Sequence, residues 1–137
     1  MSLLDLSAWG EAMSILSEVL KQMNERGQFR VAVLATSDGL PVATVSTPDD
    51  TEAAAAMAAV LQRVARQARG PLGMAEVEEL VLQARDRTRM VCRYFQVGSE
   101  ELILAVMVDP GAYYRSATSR AMREIETIWG TEAKRRP

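Results

Sequence analysis

From Ala53 to Leu61 the chain reads Ala-Ala-Ala-Ala-Met-Ala-Ala-Val-Leu, a run without one polar side chain. Alanine is the strongest helix former, so this run predicts a helix. A surface helix resting on one sheet needs a single apolar stripe, with polar residues around the rest of its circumference. A helix apolar nearly all round requires cover on two sides. One side, Met57, Val60, Val64 and Ala68, can pack on a sheet; the other, near Ala54, Ala58, Leu61 and Ala65, needs another cover. Small residues there let a partner backbone approach closely, and a second copy of the chain satisfies both copies at once by twofold symmetry. The competing reading is helix propensity alone, with little buried.

Pro48, Asp49, Asp50 and Thr51 open this helix, and Asp49 with Glu52 has capping-box spacing. It runs to about Arg69, before Gly70-Pro71-Leu72-Gly73. A first helix is expected over residues 5–26, because Leu6, Trp9, Met13, Leu16, Leu20 and Met23 step by three and four and Gly27 follows as a stop. Phe29–Thr36 and Leu40–Ser46 flank Ser37-Asp38-Gly39, and Asp-Gly between β-rich runs signals a hairpin. The first of these strands is apolar on both faces, with Val31, Val33 and Ala35 pointing one way and Ala32 and Leu34 the other, so it is central. Pro41 puts the second near an edge.

Three further strands are expected at Val77–Ala84, Met90–Val97 and Leu102–Val108, joined by Asp86-Arg87-Thr88 and Gly98-Ser99-Glu100. The last two are apolar on both faces; the first carries Glu78, Glu79 and Gln83 and reads as an edge, whose unpaired backbone can continue a sheet across subunits. A last helix over Ala112–Trp129 carries Tyr114, Ala117, Ala121, Ile125 and Ile128 on one stripe. The expected fold class is α/β in the order αββαβββα, a largely antiparallel sheet with helices on both faces. Residues 1–130 form one domain on this reading, and the polar tail 131–137 frays.

Composition limits the chemistry. There is no histidine and one cysteine, which removes imidazole catalysis and ordinary zinc sites. Cys92 lies mid-strand and reads as a small buried hydrophobe; the pairs Asp49/Asp50, Glu78/Glu79 and Glu100/Glu101 read as a cap, an edge and a turn. Gly70-Pro71-Leu72-Gly73 lacks the Lys-Ser/Thr of a phosphate loop. No catalytic, cofactor-binding or metal-ligating residue is expected, and no enzyme activity. A net charge of −2 and seven aromatic residues give no footprint for nucleic acid. The start of the chain has no basic region like that of a signal peptide and no apolar run is long enough for a bilayer, so a reducing, cytoplasmic setting without membrane insertion is expected.

The element order, the Ser37–Ala43 hairpin, the alanine-rich second helix and the closing Glu101-Leu102-Ile103-Leu104-Ala105-Val106 strand with its following helix resemble the roadblock/dynein-light-chain family over residues 6–129. The resemblance implies a five-stranded antiparallel sheet sandwiched by helices, in the order 2-1-5-4-3, with the second helix on one face and the terminal helices on the other. It also implies dimerisation through the second helix and the third strand. On this chain those elements carry Ala54, Met57, Ala58, Leu61 and Ala65, with Val77, Glu79, Val81 and Gln83. Bacterial members often bind a small Ras-like GTPase, so a homodimeric, non-enzymatic adaptor or regulator of such a GTPase is the expected function. A structural tether within a larger motor or signalling assembly is the alternative. Arg85, Arg87 and Arg89 cluster near one turn, but read better as solvated charge than as an arginine finger.

Overall fold

The computed structural model describes the backbone of residues 6–134 and the side chains of residues 10–131. Its elements are α1 (Leu6–Gly27), β1 (Val31–Thr36), β2 (Pro41–Thr44), α2 (Pro48–Arg69), β3 (Glu79–Gln83), β4 (Arg89–Val97), β5 (Glu100–Val108) and α3 (Arg115–Lys134). The five strands form one sheet in the order β2-β1-β5-β4-β3, with all four neighbouring pairs antiparallel. The element order, sheet order and edge strands are those expected.

Alternation along the strands divides the core. Ala32 and Leu34 of β1, Val91 of β4, and Leu102, Leu104 and Val106 of β5 point toward α1 and α3. From α1 the same core takes Ala12, Leu16, Val19, Leu20 and Met23, and from α3 Ala121, Ile125 and Trp129. Met13, expected on the inner stripe of α1, is exposed, and Ala12 and Val19 take that side instead. The side chains of Leu6 and Trp9 lie outside the described residues. The opposite sheet face, with Val33, Ala35, Cys92, Ile103 and Ala105, receives α2.

Two helix boundaries differ from expectation. Thr47, not Asp49, caps α2: its Oγ1 accepts from the Asp50 backbone N–H at 3.2 Å, and Pro48 takes the first helical position, where a missing N–H costs nothing. Asp49 and Asp50 lie in the first turn, where the helix dipole favours them. α3 begins three residues later than expected and continues to Lys134, so Thr131–Lys134 is helical; residues 135–137 of the expected tail lie outside the described residues.

Candidate interaction surface

The face of α2 that meets the sheet is the reverse of the one expected. Ala55, Ala58, Ala59, Leu61, Gln62 and Ala65 are buried, and Ala58 is 0% exposed. Met57 (44%), Val60 (41%) and Val64 (51%) face outward instead of packing on the sheet. Volume decides this. Val33, Ile103 and Ala105 already fill the sheet surface, and the small residues Ala55, Ala58 and Ala59 let α2 approach it closely, with Leu61 as the one large apolar side chain on that side. The turn before β2 adds a second constraint, for Gly39 lies directly beneath Ala55 and Ala59. Three of the residues expected to contact a partner, Ala58, Leu61 and Ala65, are therefore covered by the chain's own sheet, and Ala54 is half-buried against β1.

The expectation of excess apolar circumference nevertheless survives the reversal. Ala53, Met57, Val60 and Val64 recur at intervals of four, three and four and form one stripe opposite the sheet-facing side. At roughly 25 cal/mol per Å², burying the exposed remainder of each large side chain contributes on the order of 1 kcal/mol.

β3 lies at the sheet edge next to this helix. The Tyr94 N–H donates to the Glu78 carbonyl and the Ala84 N–H to the Thr88 carbonyl, which makes the even-numbered positions of this segment the ones bonded to β4. The backbone groups of Glu79, Val81 and Gln83 consequently face outward, where a further strand can pair. Val81 and Leu82 add exposed apolar side chains on opposite faces of that edge, and Val77 precedes the strand, half-buried.

The Glu79 side chain is engaged within its own chain, which sequence reading missed. Its Oε2 accepts from the Tyr114 hydroxyl at 2.9 Å and from Arg115 at 3.2 Å, and Arg93 Nε lies 3.7 Å from Oε1. Arg93 Nη1 also donates to Thr118 Oγ1 and Ser119 Oγ, at 2.9 and 2.6 Å. This ties the edge strand to the start of α3. Burial, then the bond to Glu79, raises the Tyr114 hydroxyl above the usual tyrosine range. The signal in the sequence was an acid on a strand with period-two spacing, but its partners lie 14 to 36 positions away and depend on register.

Cys92 is buried as expected, and burial pushes its thiol up to about 12. That makes it a poor nucleophile at neutral pH. Arg89 donates to the carbonyls of Asp109 and Ala112 and lies over the Tyr114 ring, so it is held in place by its own chain. No described helix is long and apolar enough to cross a membrane.

A family model described as Roadblock/LC7 domain matches residues 15–107. No curated protein matches the chain at the sequence level. Among solved structures, a Roadblock/LC7 domain from Streptomyces avermitilis is similar with a TM-score of 0.67 at 22% identity, over 82% of this chain and 92% of that one. MglB of Myxococcus xanthus has a TM-score of 0.66 at 12% identity, covering 89% of this chain and 90% of that one. The gliding protein MglB from Thermus thermophilus has a TM-score of 0.67 at 18% identity, covering 91% of this chain and 93% of that one. At these identities the likeness is one of fold.

Proposed function

Because this chain belongs to the Roadblock/LC7 domain family, we propose that it works as a homodimeric, non-enzymatic adaptor or regulator of a small Ras-like GTPase in the cytoplasm. The observation that carries the pairing is the outward stripe of Met57, Val60 and Val64 on α2, beside the open backbone edge of Glu79, Val81 and Gln83 on β3. A twofold axis near this corner buries the stripe against its own copy and pairs the edges, which removes both an apolar patch and an unsatisfied strand. The GTPase part of the proposal draws on what the family resemblance implies and on likeness to MglB.

The mechanism is positioning: the dimer presents a surface that holds a switch region of the GTPase in one arrangement, with no group of its own in the chemistry. The commitment of Arg89 to backbone carbonyls supports this over an arginine finger at that position.

Calorimetric titration of the protein with a candidate Ras-like GTPase, loaded with GDP or with a non-hydrolysable GTP analogue, tests the reading. A regulator binds one nucleotide state more tightly, by about tenfold or more. Equal affinity for both states overturns it in favour of a structural tether.

A further inference from the structure

The β3–β4 ladder stops before β4 does. The Tyr94 N–H donates to the Glu78 carbonyl at 2.9 Å and pairing ends there, while β4 continues to Val97. That bond fixes the even-numbered residues of β4 as the ones facing the β3 side, and the two-residue turn Gly98-Ser99 makes Val97 and Glu100 a pair on the other side. Gln96 is the next residue to face the open side. No described residue bonds its backbone N–H or C=O across that edge.

Beside this open step lies a cleft between the C-terminal half of α2 and the end of β4. Gln62 and Tyr94 line it, with Ala65 and Val77 as apolar walls. Gln62 is only 6% exposed; its Nε2 donates to Glu101 Oε2 at 3.4 Å, and its Oε1 has no donor. The Tyr94 hydroxyl is buried too, beside the Cys92 thiol. A buried acceptor with no donor bears its desolvation cost, which makes Gln62 Oε1 a place where an N–H from outside the chain gains a bond.

The rim decides the chemistry of the occupant. Arg66 pairs with Glu101 and Arg69 lies 3.7 Å from Glu76, so the charges lining the cleft are matched in pairs and call for no charged ligand. What the site lacks is an N–H for Gln62 Oε1 and a main-chain partner for Gln96, between small apolar walls. An extended segment supplies both when one of its amides pairs with Gln96 in the plane of the sheet and the next turns out of that plane toward Gln62 on α2. A single water can serve Gln62 but leaves the Gln96 edge open.

We propose that this cleft docks a short, uncharged, extended peptide segment of a partner protein, which adds a strand beside Gln96 and donates an N–H to Gln62 Oε1. The site needs no nucleotide-dependent partner, so it stands or falls independently of the GTPase reading.

The test uses the full chain, isotopically labelled, titrated with N-acetyl-Ala-Ala-Ala-N-methylamide and with the same peptide methylated on its backbone nitrogens. The unmethylated peptide is expected to give saturable shifts at the Gln96 amide and the Gln62 side-chain amide at tens of millimolar. Removing its donors, or introducing Gln62→Met, is expected to weaken binding about tenfold. If Gln62→Met fails to fold, the comparison of the two peptides on the natural chain carries the test. Absence of saturable shifts at Gln96, an equal response to the methylated peptide, or unchanged affinity in the folded variant overturns the proposal. So does hydrogen-exchange protection of the Gln96 amide in the free chain, which means that the chain's own residues before Glu78 already fill the cleft.

Discussion

Gly39 meets two demands at one position. Its φ of +86° belongs to the left-handed region that glycine enters freely, and a Cβ there falls 3.1 Å from Ala59 Cβ and 3.2 Å from the Ala55 carbonyl oxygen. Gly39→Ala is expected to cost about 1–3 kcal/mol, read as a lower urea midpoint with an unchanged slope. The Asp-Gly pair made the turn legible, but nothing local records that a helix passes over it. Gly27 is similar. It reads as a helix stop, yet the left-handed residue is Gln28 (φ 54°), and Gly27 is small because the Phe29 ring lies where its Cβ would stand. Cys92 yields a prediction with a definite sign. Its thiol is raised from 9.0 to about 12 in the folded chain, so between those values the unfolded chain ionises and the folded one does not. The stability from the neutral thiol is complete below pH 9.0 and is lost as pH rises toward about 12. Cys92→Ala is expected to lower stability at pH 7 by about 1 kcal/mol and to flatten the alkaline loss by up to about 1.4 kcal/mol per pH unit. Urea unfolding at a series of pH values checks both, and partner binding at pH 7 is expected to be unchanged.

Among the elements, the strands and their order were legible because period-two alternation and turn chemistry act over a few residues. Val33 and Leu34 point to opposite cores in the structure as their positions in β1 require. The orientation of α2 was not legible, since both sides have much the same hydropathy and only volume against the sheet separates them. Ala58 and Val60 now make a sharp contrast. Ala58→Glu places a charge in the α2–sheet core and is expected to abolish folding, whereas Val60→Glu keeps the native circular dichroism and loses only pairing. The link between β3 and α3 is likewise a product of tertiary contact. Arg93, 13% exposed in its side chain, pairs with the 20% exposed Glu79, so Arg93→Met leaves a half-buried carboxylate without its inner cation. Denaturant unfolding is expected to register a loss of about 3 kcal/mol. Arg120→Ala, which breaks the exposed pair with Glu124, is expected to change stability by less than about 0.5 kcal/mol.

For the molecule as a whole, the described residues of α2 and β3 keep surfaces that the chain itself leaves open. α1 and α3 bury single stripes in the larger core, whereas α2 buries one side and turns a second apolar side to solvent, next to an unpaired strand edge. That excess is the physical basis of the proposed dimer, and with it of the adaptor role. The mass in solution measured by light scattering, for the natural chain and for Val60→Glu side by side, tests it most directly. The natural protein is expected at twice the 15.1 kDa chain mass and the folded variant at the single-chain mass. A natural protein of single-chain mass at high concentration, or a Val60→Glu variant that keeps the doubled mass, contradicts it.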